Sequence, residues 1–365
     1  MTDRFIRGLL VLVAVLLAVL LAQPYIDRAV FSASAPRAVE ARGDLSEVER
    51  SSIDIFQRAS PSVVQVVGRP AGSEGGFGDT EGARLQSGTG FIWDAAGNLV
   101  TNNHVVQNTS EIAVRFASGR VARARLVGTA PTYDLAVVRI DGVRELPPPI
   151  AIGSSSALKV GQLAFAIGNP FGLDQSMTSG IISALKRRMP TGAGRELGNV
   201  IQTDASINPG NSGGPLLDSA ARVIGVTTAI ISPSGSSAGI GFAIPIDTVN
   251  RVVPELIRTG RVPVPGIGIV SASETASTRL GIEGVVVVQT APGSPAERAG
   301  LRGVDPRGRV GDVIIAANGT PVRRLTDLTD QLEASGVGNK VQLTVERDGR
   351  RRTVEAEIVD IARAS

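Results

Sequence analysis

The sequence predicts a mainly β fold in two globular units, and three observations carry that reading. From Ser62 onward, short apolar runs (SVVQVV, GTGFIW, NLVTNN, IAVRF, ARLVG, LAVVRI, LAFAIG, VIGVTTAII) alternate with glycine, asparagine and aspartate. Many short strands at roughly even spacing suit a barrel or sandwich better than alternating β and α units. Beyond the charged, proline-containing stretch Pro254 to Pro265 the pattern changes to a compact mix of strands and two short helices, an α+β unit. A length of 365 residues, 42% of them hydrophobic and 43 of them glycine, fits two β-rich domains.

At the N-terminus Arg4 and Arg7 precede an uninterrupted apolar run, Gly8 to Ala22. Fifteen residues suit a signal-peptide core, but continuing through Ile26 approaches the length of about 20 that a spanning helix needs. The small-residue pattern Ala33-Ser34-Ala35 lies far from the apolar core and is followed by Pro36. An uncleaved single-pass anchor over residues 1–28 is therefore expected, with the bulk of the chain in the periplasm or exterior; the alternative is a soluble periplasmic protein after cleavage. Residues 29–43, rich in Ala, Ser, Pro and Arg, suit a flexible tether. From Asp44, DLSEVERSSIDIFQRASP reads as a capped helix with an acidic first turn and Pro61 beyond its end.

Composition narrows the chemistry. There is no cysteine and one histidine, so neither a disulfide framework nor a thiolate or multi-histidine metal site is expected. The formal charge is only +3, and no basic run is interleaved with aromatics, which argues against a nucleic-acid partner. No phosphate-binding glycine loop followed by Lys-Ser/Thr occurs, so nucleotide hydrolysis has no site, and no cofactor is expected.

The single histidine, His104, sits in TNNHVV at the end of a strand-like run. A side chain that titrates near neutral pH is the usual general base of nucleophilic hydrolysis. Such a base needs a nucleophile and an orienting carboxylate, and Ser212 in NPGNSGGPL and Asp134 in TYDLAVVRI supply both. Any one of the three alone would more readily be structural; together, in order and each beside a strand, they read as a triad. The run Gly210 to Gly214 also fits G-x-S-x-G, but there the serine precedes the histidine and a helix follows. Here the serine comes last, and Pro215-Leu216-Leu217 does not read as a helix start.

TNNHVV, YDLAVVRI, GNPFGLDQSMTSGIIS and QTDASINPGNSGGPLLD together resemble the HtrA/Deg family of serine proteases, over a stretch from about Asp44 to the end. GNPFGLD and ISPSGSSAGIGFAIPID look more like the plant-plastid and cyanobacterial branch than the enterobacterial one. The resemblance implies a chymotrypsin-like double β-barrel over 44–259, with His104 and Asp134 from the first barrel and Ser212 from the second. It implies oxyanion donors at Gly210, Asn211 and Ser212, with glycines 210, 213 and 214 permitting a positive-φ backbone. It places the floor of the primary pocket at Ser206, which carries no charge, and its walls at Val226, Thr227, Thr228, Ala229 and Ile230, so that cleavage after small aliphatic residues is expected. Gly168 to Ser179 and Ser232 to Ala238 match the family's activation loops, and Gly72 to Gly88 its long flexible loop. A homotrimer, joined in part by the helix after Asp44, is also implied.

The C-terminal motifs PGSPAERAGL and GDVIIAANG resemble one PDZ domain, assigned to residues 260–365. Such domains add a peptide as a strand and cradle its C-terminal carboxylate in backbone N–H groups. Gly266, Ile267, Gly268 and Ile269 match that carboxylate loop, with a helix near Asp327 to Ala334 as the opposite groove wall. The expected activity is ATP-independent endoproteolysis of unfolded or PDZ-recruited envelope proteins, in quality control or stress signalling. The rival is a PDZ adaptor or holdase chaperone whose proteolysis is secondary or absent.

Overall fold

The computed structural model describes residues 2–31, 39–72, 85–169, 175–190, 196–230 and 239–363. Residues 170–174 of the first expected activation loop, all of the second and residues 73–84 of the Gly72 to Gly88 loop fall outside them. The chain divides into two units, Met1–Arg50 and Ser51–Ser365.

The first unit holds helix α1 (Thr2–Phe31), apolar and exposed along its length, with Pro24 inside it. Thirty residues rise about 45 Å, so the helix exceeds the Gly8 to Ile26 stretch legible in sequence and is long enough to cross a bilayer. Helix α2 (Glu47–Ala59) begins in this unit. The Ser46 hydroxyl accepts from the Glu49 amide at 3.3 Å and the Glu49 carboxylate accepts from the Ser46 amide at 2.8 Å, a reciprocal cap that fixes its start.

The second unit opens with six antiparallel strands, β1 (Val63–Pro70), β2 (Gln86–Ile92), β3 (Asn98–Thr101), β4 (Thr109–Arg115), β5 (Val121–Ala130) and β6 (Leu135–Ile140). They close into a barrel in the order β1-β2-β3-β6-β5-β4, with the one-turn helix α3 (Asn103–Val106) after β3. Six more, β7 (Leu163–Gly168), β8 (Ser176–Pro190), β9 (Glu196–Thr203), β10 (Pro215–Leu217), β11 (Val223–Ile230) and β12 (Gly241–Pro245), close a second barrel in the order β10-β11-β12-β9-β8-β7. The double barrel implied by resemblance is thus the observed fold. Each barrel has its own interior, around Val64, Ile92, Leu99 and Val138 in the first and Ile182, Ile201, Leu216 and Ile224 in the second. A further cluster, including Phe91, Leu135, Ile167 and Val226, joins the two barrels.

Helix α4 (Ile246–Thr259) seals that joint by burying Ile246, Val249, Val252, Val253 and Leu256. Each such side chain contributes roughly 1.5–3 kcal/mol. The linker expected to start at Pro254 starts later, because the helix runs through Pro254 and ends where Gly260, at φ 78, donates to the Leu256 carbonyl. A Cβ at Gly128 of β5 would come within 2.3 Å of the Gly260 carbonyl oxygen, so the linker lies directly on the first barrel where β5 carries a glycine.

The remaining strands are β13 (Pro265–Gly266), β14 (Ile269–Ser271), β15 (Val285–Thr290), β16 (Val313–Ala317), β17 (Thr320–Pro321), β18 (Lys340–Arg347), β19 (Arg350–Glu357) and β20 (Val359–Asp360). Strands β14-β15-β16-β18-β19 form one sheet, β17 pairs with β16, and β13 pairs with β20. Three helices, α5 (Glu274–Arg279), α6 (Pro295–Arg298) and α7 (Leu325–Ser335), replace the two expected. Asp312, fully buried, takes a bidentate pair of 2.6 Å bonds from Arg347 and a 2.8 Å bond from the Arg302 amide. The C-terminal core gathers Ile267, Val287, Leu301, Ile314, Leu332 and Leu343.

Candidate active site

Asp134 caps the turn Pro131–Tyr133 in the left-handed conformation, at φ 50. A non-glycine residue is held there by what its carbonyl accepts, the Asn103 amide at 3.1 Å and the Asn102 Nδ2 at 2.9 Å. Those bonds fold the segment before α3 onto the turn and bring His104 to the carboxylate. His104 Nδ1 lies 2.8 Å from Asp134 Oδ2 and 3.0 Å from Oδ1, and the His104 backbone amide donates to Oδ1 at 3.1 Å. With Nδ1 as donor, Nε2 is left as the acceptor, the tautomer a general base needs.

Thr228 of β11 reaches across from the second barrel. Its hydroxyl donates to Asp134 Oδ2 at 2.5 Å, and its carbonyl accepts from Ser212 Oγ at 2.8 Å. The structure therefore joins His104 directly to Asp134, and joins Ser212 to them through Thr228. Thr228 is 2% exposed and was legible only as a pocket wall, since nothing in a strand threonine signals a bond to a residue 94 positions away.

The turn Asn208–Asn211 closes with the Asn211 amide donating to the Asn208 carbonyl at 3.0 Å, and Gly210 sits at φ 103. Proline at its second position and glycine at its third suit a type II turn. Asn211, expected as an oxyanion donor, thus has its N–H committed within the turn. No partner for the Gly210 or Ser212 amide occurs among the described residues. Of the other two glycines, Gly213 has φ 87, whereas Gly214 is required by close approach: a Cβ there would fall 2.4 Å from the Ile167 carbonyl oxygen. Pro215–Leu217 forms β10, not the helix a strand-to-helix nucleophile elbow demands.

Ser206 is exposed, and its carbonyl accepts from Thr178 Oγ1 at 2.9 Å and Asn211 Nδ2 at 3.4 Å. The nearby Asp204 carboxylate accepts from the Ile181 amide at 2.6 Å. Of the expected walls, Val226 is fully buried in the core joining the barrels, and the Thr227 hydroxyl donates to the Asn211 carbonyl at 2.6 Å. Ala229 and Ile230 complete β11.

In the C-terminal unit Gly266 pairs with Val359, and Ile267 is buried in the core. The Ile267 carbonyl accepts from the Ala296 amide at 2.8 Å, and the Gly268 carbonyl from the Ala291 amide at 2.9 Å. Gly268, at φ 79, stands where a Cβ would lie 2.4 Å from that of Ser294. Ile269 begins β14, whose partner is β15. Helix α7 faces the first barrel through Glu333, which accepts from Tyr133 Oη at 2.6 Å and from Arg251 at 3.0 Å. Burial pushes the Tyr133 phenol above its ordinary range, and the Glu333 charge adds to the effect.

Residues 88–226 match a trypsin-like peptidase domain and residues 265–358 a PDZ domain. "Protease Do-like 1, chloroplastic" of Arabidopsis thaliana is 42% identical over 315 residues, covering 85% of this chain and 72% of the plant protein. The chain belongs to the HtrA/Deg family of serine endoproteases. A probable periplasmic DegP-like serine endoprotease of Pseudomonas fluorescens is 40% identical over 286 residues, 77% of this chain and 58% of the bacterial one. The chain thus spans under two thirds of that bacterial relative. Among solved structures, "HtrA-type protease AlgW with decapeptide" superposes with a TM-score of 0.70 at 34% identity, covering 84% of this chain and 98% of that one. The family resemblance read from the motifs is therefore shown, and the apolar α1 of this HtrA/Deg chain fits membrane anchoring or export.

Proposed function

We propose that this HtrA/Deg chain is an ATP-independent endopeptidase of the cell envelope, with Ser212 as nucleophile, His104 as general base and Asp134 as the carboxylate that orients it. The observation that carries the reading is Thr228, which ties Asp134 of one barrel to Ser212 of the other. In the proposed cycle Ser212 Oγ rotates from the Thr228 carbonyl to His104 Nε2, gives up its proton as it attacks the scissile carbonyl, and His104 returns that proton to the leaving amine. The Gly210 and Ser212 amides would hold the oxyanion, each donor typically contributing about 3 kcal/mol to catalysis.

The neutral Ser206 and the commitment of Asp204 to a backbone amide favour small aliphatic residues over lysine or arginine at the cleaved position. Residues 1–28 would anchor the enzyme in the inner membrane through the linker 29–43, 44–259 would cut, and 260–365 would receive substrate or regulatory C-termini at Gly266 to Ile269. A homotrimer and a place in envelope stress response complete the proposal. Sequencing the fragments of an unfolded protein digest tests it: most cuts should follow valine, alanine or similar residues, and a majority after lysine or arginine would overturn the pocket assignment.

A further inference from the structure

Thr89 of β2 is fully buried between the barrels and bonds to three separate segments around the candidate nucleophile. Its amide donates to the Ser212 carbonyl at 2.8 Å, and its hydroxyl donates to the Gly210 carbonyl at 2.5 Å. The same hydroxyl accepts from the Asn169 amide at 3.0 Å, where the chain leaves β7. Its own carbonyl accepts from the Thr101 hydroxyl at 2.7 Å, on the strand that leads into Asn102, Asn103 and His104. The approach is close enough to dictate its neighbours: a Cβ on Gly213 would stand 2.1 Å from the Thr89 carbonyl oxygen.

We infer that Thr89 is a positioning residue for the oxyanion site, acting through its hydroxyl; the inference rests on the triad reading above. Residues 210–212 carry the two candidate donors, and their first residue is a glycine, which turns freely through positive and negative φ unless something restrains it. Thr89 pins both ends of that run, the Gly210 carbonyl by its side chain and the Ser212 carbonyl by its backbone. Those two carbonyls belong to the 210–211 and 212–213 peptides. Holding both fixes the planes on either side of the 211–212 peptide, which carries the Ser212 N–H, and fixes one side of the Gly210 Cα, from whose other side the Gly210 N–H projects. The hydroxyl has one proton to give, and the Asn169 amide, by occupying a lone pair, leaves that proton for Gly210. In a buried site each bond polarises the next, so the chain Asn169–Thr89–Gly210 acts as one restraint. Thr101 then sets the distance from this restraint to the segment that carries the base.

The test uses the full-length enzyme and compares Thr89→Val, which keeps the shape, with Thr89→Ser, which keeps the hydroxyl. Loss of a direct oxyanion donor costs about 100–1,000-fold in kcat, so an indirect restraint should cost about 10–100-fold. Thr89→Val should lose that much in kcat with KM within about twofold, and a peptide boronate that mimics the tetrahedral intermediate should weaken by the same factor. Thr89→Ser should stay within about threefold of wild type. Should Thr89→Val fail to fold, Thr89→Ser against Thr89→Ala isolates the hydroxyl alone, and serine must exceed alanine at least tenfold in kcat. Unchanged kcat in Thr89→Val, serine no better than alanine, or a loss confined to KM would overturn the inference. Fluorophosphonate labelling of the wild type separates the two levels. Reaction at Ser212 with indifferent Thr89 variants removes Thr89 alone, and no reaction at Ser212 removes the triad and Thr89 together.

Discussion

The two halves of the candidate site are built in different ways. His104 and Asp134 meet within one barrel, through three hydrogen bonds between a one-turn helix and a left-handed turn 30 residues further on. Ser212 is placed from both barrels: Thr89 of β2 holds its carbonyl and that of Gly210, and its hydroxyl rests on Thr228 of β11 in its own barrel. The proposed base and carboxylate therefore meet mostly within one barrel, whereas the proposed nucleophile and its turn depend on how the barrels meet. Damage to either half should stop catalysis; the first half touches the joint only through the Thr228 hydroxyl on Asp134, whereas the second is held there by the bonds of Thr89 to Gly210 and Ser212.

The largest effects come from the reacting groups. Ser212→Ala and Asp134→Asn should each lower kcat/KM by about 10⁴-fold or more, with His104→Ala as severe. Steady-state hydrolysis of an unfolded substrate measures this, and near-wild-type turnover in any variant would remove that residue from the mechanism.

A second carboxylate sharpens the contrast, because Asp312 is fully buried and bonded at both oxygens yet lies in the C-terminal core. Asp312→Ala takes the carboxylate from the mostly covered Arg347 and leaves it only the Gly300 carbonyl, and should cost about 3 kcal/mol in the stability of the C-terminal core. Denaturant unfolding followed by a probe in the C-terminal sheet would register the loss, while labelling of Ser212 should proceed at the wild-type rate. Slowed labelling would mean that the catalytic site depends on the C-terminal core.

Thr228→Val tests the joint itself. It removes a bond that orients the Asp134 carboxylate, so kcat should fall about 10–100-fold, and because a bond to a charged group is worth about 1.5–3 kcal/mol of stability, the melting temperature should fall as well. Equal activity would show that Asp134 is held well enough by its own barrel.

The smallest effect is expected at Tyr133, which adjoins Asp134 but bonds away from the site to Glu333. Tyr133→Phe should cost about 1 kcal/mol of stability and leave kcat within threefold. Its phenol is pushed up in the folded state, so the native form keeps the proton longer than the unfolded chain. That stabilisation is complete below about pH 10 and is lost as pH rises further, and the variant should lack this alkaline limb. An unchanged limb would assign it to another group.

The double barrel was legible, and His104, Asp134 and Ser212 stood out as candidates, because they lie in short motifs with fixed local neighbours. Strands β8 and β9 were not, since β8 carries three register shifts and Lys186 and Asn199 have positive φ, which breaks the alternation that marks a strand. Thr89 was invisible for a different reason: its contacts at Gly210 and Ser212 lie more than 120 residues away, and a threonine in a strand needs no special explanation. The burial of Val226, expected as a pocket wall, in the cluster joining the barrels was not legible, because the sequence gives the strand but not which of its apolar residues the second barrel turns toward the first. The commitment of the Asn211 amide to Asn208 is likewise a property of the turn conformation, which Pro209-Gly210 suggests but does not specify.

The central claim, that Ser212 is the nucleophile activated by His104 and Asp134, is tested most directly by intact-mass analysis after reaction with a fluorophosphonate. The wild type should gain one adduct that maps to Ser212, with the rate sharply reduced in His104→Ala and Asp134→Asn and no adduct in Ser212→Ala. An adduct that persists in Ser212→Ala, or a wild type that gains none, would contradict the account.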